Sequence, residues 1–500
     1  MFFILLAFTA ISLVLWFYVK WRGVKNFWAD RGVPHYPPHP IVGSLTFLQR
    51  ENPAVWMRQV YNEFKSPYVG MWAFWRPGLV INCPELARKV LVKDHEVFRN
   101  RFLSSGKTDP VGALNLFTVN DPTWSYIRRR LTVLFTAARL RSLQGLIQGK
   151  SNDLVLRIKE EMASEDDVDL RTLCSDFTTD VIGEAAFGLS SESVRTGDSA
   201  MRNVTREFMK FNLHRGLCWS SIFFFPELVD IFRFSFFPKH TLEFLRQVIH
   251  KVIEQRGGYN KEVKECRDLL DALLKIKQEA AAENEELDDN FLLAQSAIFL
   301  LGGFDTSGVT LTWTIYELAW NPHCQEKLYQ EVLAAKQKIG DKDFDSNTLA
   351  ELTYMDCVIK EAQRKFPSMG WLDRIASKDY KIDDHLTIPE GTVVYVNAVG
   401  MQQDPEYFPE PHIYNPDRFL PENEMNIKPY TFMPFGEGPR ACIGKRFAYQ
   451  TIRFGLAFII LNYEICVVPN APKPNDCHIE KNGLFLGPDK KLSVEFRLRN

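Results

Sequence analysis

The segment Phe435-Gly436-Glu437-Gly438-Pro439-Arg440-Ala441-Cys442-Ile443-Gly444 holds three glycines, one arginine and one cysteine within ten residues. Glycine permits tight turns and lets the backbone come close to a flat ligand. Amide groups around Cys442, with a helix start expected just after it, favour a thiolate and lower the thiol pKa, as a metal ligand requires. Arg440 can meet a carboxylate with both arms of its guanidinium. Taken singly each feature is ordinary, and a lone cysteine is most often a small buried apolar side chain. The other eight cysteines, at 83, 174, 218, 266, 324, 357, 466 and 477, form no C-x-x-C pair, so they read as reduced thiols in a cytosol-facing body rather than as zinc or disulfide sites.

Three more groupings carry polar chemistry. Glu361-Ala362-Gln363-Arg364 spaces a carboxylate and a guanidinium so that both lie on one helix face and can pair. Gly302-Gly303-Phe304-Asp305-Thr306-Ser307 puts an acid beside an alcohol inside the apolar run Leu292 to Trp313. Its consecutive glycines weaken a helix by roughly 1 kcal/mol each and mark a place for local opening. Trp124 and Arg128 are four apart and share a helix face.

The elements that must position these groups are mainly helical. From Pro84 to about Lys365 most segments have helical periodicity, while Tyr68 to Cys83 reads as two short strands with Arg76-Pro77-Gly78 as the turn. Tyr380 to Asn397 alternates like strands, and proline-punctuated coil from Pro405 to Pro421 leads into the cysteine segment. An acidic stretch from Glu279 to Asp289 reads as a solvated connection before a long apolar helix starting near Phe291. Ser220 to Phe237 is crowded with phenylalanines, which suits a surface in a membrane interface, the roof of an apolar cavity or ordinary core packing.

Composition bounds the rest. At 46% hydrophobic and 13% aromatic, 500 residues can bury a sizeable core. The 60 basic and 62 acidic side chains nearly cancel, so there is no bulk attraction to nucleic acid and a charged partner must find a local patch. Phe2 to Val19 is an uncharged apolar run, about 27 Å long as a helix, against a hydrocarbon core of ~30 Å. It lacks the basic start and small-residue cleavage site of a removable signal. Lys20, Arg22 and Lys25 follow and favour keeping the body on the cytoplasmic side. The expected organisation is an anchor at 1–20, a linker with a proline-rich elbow at 21–43, and one body at 44–500.

With these motifs in view, the sequence resembles the cytochrome P-450 superfamily, whose F-G-x-G-x-R-x-C-x-G signature is matched at every fixed position from Phe435 to Gly444. Glu361 and Arg364 match its E-x-x-R, and Arg418 in Asn415-Pro416-Asp417-Arg418-Phe419 matches the arginine-bearing segment before the haem loop. The resemblance implies a mainly α fold with small β-sheets and an N-terminal membrane-anchor helix. It implies haem b as cofactor with Cys442 as the axial thiolate of the iron, a ligand that pushes electron density to the metal and favours O–O cleavage. Phe435 lies against the haem in that reading. Arg440, Trp124, Arg128 and Arg374, with Arg101 as a further candidate, are then expected at the haem propionates. Glu361, Arg364 and Arg418 take a structural role beneath the haem. Asp305 and Thr306 are the acid–alcohol pair that supports oxygen binding and proton delivery, and where this chain has Gly302 the family more often has alanine.

The resemblance is to arthropod, especially insect, microsomal enzymes, with substrates such as plant toxins, insecticides, hormones or lipids. It implies insertion of one oxygen atom from O2 into a lipophilic molecule at the endoplasmic reticulum membrane. Electrons come from NADPH through the membrane-bound cytochrome reductase, with cytochrome b5 as a further donor. Arg128, Arg129, Arg130, Lys445 and Arg446 are expected to form a basic patch for the acidic donor. The pocket is expected from the loop Val111 to Phe117, Ile298, Leu301, Met369, Gly370, Leu484 and Phe485, nearly all apolar. The alternative is a reductase-independent family member that rearranges or dehydrates a peroxide, from which the acid–alcohol pair is often missing. A non-catalytic haem sensor or carrier is a third reading, which no further feature supports.

Overall fold

A computed structural model describes residues 2–164, 167–189, 191–285 and 287–499. Helices dominate, with a four-stranded and a three-stranded sheet and one small hairpin beside them. The helix expected to end near Val19 runs from Phe2 to Asn26 and buries none of its side chains. The other long apolar helix, Asp289–Trp320, also has membrane-like length, but 78% of its apolar window is buried. Burial separates the two roles: one helix meets the body only near its C-terminal end, where Phe17 and Trp21 lie against Trp75, and the other is the centre of the core. The central helix starts where Asp288 accepts a hydrogen bond from the Phe291 amide at 3.0 Å, and it stops before Pro322.

Residues 27–43, expected as a linker, pack on the first sheet. Trp28 and Val33 are buried, the Trp28 indole donates to the Met71 carbonyl at 2.9 Å, and the Gly70 amide donates to the Pro34 carbonyl at 2.8 Å. In that sheet Tyr68–Ala73 pairs antiparallel with Arg76–Ile81, which pairs parallel with Val393–Val396, itself antiparallel to Leu372–Ile375. The hairpin turn is at Phe74 and Trp75, with Phe74 at φ 54°, not at Arg76 to Gly78. Proline is tolerated in the strand because Pro77 lies one residue before the parallel pairing begins at Gly78, where that side is still an edge. The acidic connection is also shorter than expected, since a helix runs on from Leu269 to Ala282.

Candidate active site

Cys442 is the one cysteine of the nine with a largely exposed side chain, and what it is exposed to is an interior cavity of about 290 Å³. Its amide donates to the Phe435 carbonyl at 2.8 Å, closing the loop on itself. Gly438 makes that loop possible: its φ is +75°, and a Cβ there would lie 2.0 Å from the Leu91 carbonyl oxygen. The helix Lys445–Asn462 starts just beyond, as expected. The thiol pKa, however, is raised rather than lowered. Burial pushes it up, and the nearby amide of Gly444 and the charges of Arg128, Arg101 and Lys445 only partly offset that. Protein groups alone therefore leave Cys442 a neutral thiol, and a cation opposite the sulfur is needed to hold the thiolate.

One wall of the cavity gathers the arginines that the sequence scatters over 340 positions. Arg101, Arg128, Arg374 and Arg440 all line it, with Trp124 and Phe435. Arg440 donates to the carbonyls of Arg99 and Val119, both at 2.9 Å, and its guanidinium lies 4.1 Å from the Trp124 ring centre. Among the described residues only Asp373 forms an ion pair with any of the four, reaching Arg101 at 3.4 Å. Burial and the neighbouring Arg101 lower Arg374 to about 9. Burial, with Arg101 and Arg374 beside it, lowers Arg440 to about 9 as well. Burial also lowers Arg128, although the Cys442 sulfur pulls the other way. Such a surplus of buried cations calls for anionic oxygens. The two propionates of a haem b would answer it, and the apolar lining would suit its flat ring.

Asp373, which sequence reasoning missed, does the local positioning. It accepts from the amides of Phe102 at 2.8 Å and Leu103 at 3.3 Å, fixing the loop that carries Arg101 against the strand that carries Arg374. Its place directly before Arg374 was the only available signal.

On the opposite wall the central helix is continuous through the two glycines, without the opening expected there. Gly303 has a packing reason: a Cβ would meet Ile182 Cγ1 at 2.5 Å, so glycine lets this helix lie against Leu170–Phe187. Thr306 faces the cavity and donates to the Gly302 carbonyl at 2.6 Å. Asp305 does not face it. Its carboxylate is fully buried on the other side of the helix and pairs with Arg171 at 2.5 Å, leaving Oδ2 without a hydrogen bond. The acid and the alcohol adjacent in sequence are thus split between the helix's rear and its cavity face.

Glu361 and Arg364 pair with both arms, at 2.8 and 2.9 Å, with neither side chain exposed, and Arg418 reaches Glu361 at 3.4 Å. Arg364 also donates to the carbonyls of Gln402 and Pro411. Gln402 in turn accepts from the Met433 amide at 3.1 Å, at the entrance to the cysteine segment. Nothing in the sequence marks Gln402.

The apolar lining includes Leu116, Phe117, Ile298, Leu301, Met369 and Phe485 as expected, but not Val111, Gly370 or Leu484. Gly370 is turned to Ala54, where a Cβ would be 2.4 Å away, and Leu484 lines a second cavity. From the phenylalanine-rich stretch, Phe223 and Phe236 roof the first cavity while Ile231 and Phe232 are exposed at 68% and 58%. The basic patch is thinner than expected. Arg128 turns inward, and Arg130 is tied to Glu283 at 2.5 Å, so Arg129, Lys445 and Arg446 remain exposed.

Residues 34–496 match the family described as Cytochrome P450. "Cytochrome P450 6k1" of Blattella germanica is 31% identical over 492 residues, covering 94% of this chain and 92% of that protein. "Probable cytochrome P450 6g2" of Drosophila melanogaster is 34% identical over 470 residues, covering 89% and 90%. "Probable cytochrome P450 6w1" of the same fly is 33% identical over 470 residues, covering 90% of each chain.

Proposed function

This chain belongs to the cytochrome P450 family and is a haem-thiolate monooxygenase, and we propose that it oxidises lipophilic small molecules at the endoplasmic reticulum membrane with electrons from NADPH delivered by a membrane-bound reductase. The observation that carries the reading is the meeting, in one cavity, of Cys442, four arginines and a greasy opposite wall. Bound haem, tuned by its thiolate, supplies the oxygen chemistry. The protein's own groups do the rest. Arg101, Arg128, Arg374 and Arg440 would hold the propionates, and Cys442 would hold the iron. Leu116, Ile298, Leu301 and Phe485 exclude water and hold an apolar substrate with no charged anchor among them. Thr306 holds a proton at Oγ1 inside the cavity, where the Gly302 carbonyl accepts it, and Asp305, held behind the helix by Arg171, would have to leave that pair and take up a proton from solvent before passing one on.

Two features support the membrane and its reductase. The helix Phe2–Asn26 leaves most of its large apolar side chains exposed, and Leu213, Ile231 and Phe232 add exposed apolar surface on the body. Arg129, Lys445 and Arg446 offer an acidic flavoprotein or cytochrome b5 a positive docking face around the cysteine side of the site. A threonine hydroxyl in the cavity favours oxygen activation over rearrangement of a peroxide, which needs no proton delivery of this kind. The test is NADPH consumption and product formation in membranes holding this protein and the reductase. Product that appears only when peroxide is supplied would sink the proposal. In the same assay Thr306→Ala should lower product per NADPH by about tenfold or more while consumption continues. Unchanged coupling would take Thr306 out of proton delivery.

A further inference from the structure

A second cavity, of about 550 Å³, lies beside the first, bounded by the segment around Leu45, the helix Leu213–Phe224 and the turn at Leu484. Trp219 lines both. Its ring stacks on Phe236 (5.8 Å, 17°) and Phe223 (6.4 Å, 23°), so the partition between the cavities is a short aromatic pile. Three of the buried tryptophans, Trp28, Trp72 and Trp313, are pinned by an indole N–H that donates to a main-chain carbonyl. The Trp219 N–H is buried and donates to no described residue. A ring held by stacking and by the Arg215 guanidinium 5.7 Å from its centre, with no hydrogen bond of its own, can swing aside without breaking one, and it gains the chance to make one. Trp219 is therefore the part of the wall that moves at least cost. On the other side of it, the first cavity must take both the haem and the reacting end of the substrate, which leaves the second for the rest of the molecule.

We infer that Trp219 is a specificity-determining partition, and that the favoured substrates are elongated lipophilic molecules. Their reacting end lies over Cys442 and their apolar body passes Trp219 into the second cavity. The inference rests on the monooxygenase reading, because it is haem that fills the first cavity. Filling the second cavity rewards chain length, and displacing the Trp219 ring from its stack opposes it.

The experiment titrates the full-length, haem-loaded protein in membranes with straight-chain phenylalkanes from ethyl to dodecyl. Binding is followed by the substrate-induced shift of the haem absorption. Wild type is expected to bind more tightly as the chain lengthens. Trp219→Ala should tighten the dodecyl compound by about tenfold and leave the ethyl compound within about twofold, whereas Trp219→Phe, which keeps a ring on the stack, should follow wild type. Trp219→Val serves the same comparison should the alanine variant fail to load haem. A uniform change across the series, or none, overturns the partition. Loss of the reduced carbon monoxide spectrum in the wild-type protein would instead overturn the monooxygenase reading, whatever the trend with length.

Discussion

Cys442→Ser is expected to abolish the thiolate-type absorption of the reduced carbon monoxide complex and to reduce monooxygenase turnover to background, while leaving the fold intact. Serine has nearly the volume of cysteine, and the loop is held by its backbone, through the Cys442 amide on the Phe435 carbonyl and the left-handed glycines 436 and 438. None of those contacts uses the sulfur. The sulfur's own chemistry is what is lost: a hydroxyl is a harder and far less acidic ligand than a thiol. The site already resists charge, since burial raises the Cys442 thiol, and a serine hydroxyl would resist it more. Thermal unfolding of the variant should stay close to wild type, separating loss of the ligand from loss of the structure. A spectrum unchanged from wild type would assign the iron to another residue.

The sequence made the motifs legible but not their directions. Cys442 could be singled out because its glycine and arginine neighbours sit at fixed short offsets, and the structure places it on the cavity floor with Arg440 beside it. Arg101 and Arg374 belong to the same cluster, yet they are 273 positions apart along the chain and come together through Asp373, whose carboxylate bridges loop and strand, and through the Ile375 amide on the Asn100 carbonyl. Long-range convergence of that kind leaves no local signal. Asp305 shows the opposite failure. Adjacency to Thr306 suggested that both face the haem, but neighbours on a helix project about 100° apart, and here Thr306 turns into the cavity while Asp305 turns to Arg171. The direction of the Cys442 pKa was also misjudged from sequence, because amide dipoles and nearby arginines are visible there whereas desolvation depends on the completed fold. Helices were readable from their periodicity. The Phe74–Trp75 turn was not, because Pro77 and Gly78 are strong turn residues that here lie in a strand, Pro77 just outside the parallel pairing and Gly78 at its first position.

Glu361→Gln should be the most damaging substitution outside the haem cavity, and for a reason that separates stability from position. Glu361 accepts both arms of Arg364 at 2.8 and 2.9 Å, the Asn415 amide at 3.0 Å and the approach of Arg418 at 3.4 Å. Removing its charge leaves Arg364, fully buried, and Arg418, 12% exposed, without a counter-ion. Breaking a buried pair from one side costs about 3–5 kcal/mol, a large part of the 5–15 kcal/mol that holds an ordinary domain together. A buried ion pair is nevertheless weak evidence of net stabilisation, since desolvation consumes most of its attraction. What this network adds is a chain of fixed distances: Arg364 to the Gln402 carbonyl at 2.9 Å, then Gln402 to the Met433 amide at 3.1 Å, where the cysteine segment begins. Haem content should therefore fall further than stability. Measured together, haem per polypeptide should drop by about tenfold or more in Glu361→Gln, beyond what its lowered unfolding temperature explains. The double replacement Glu361→Leu with Arg364→Leu should regain part of the stability, having removed both charges, but not the haem, because the contact to Gln402 is gone. Full haem loading in the double variant would show that the network only stabilises the fold and does not place the cysteine loop.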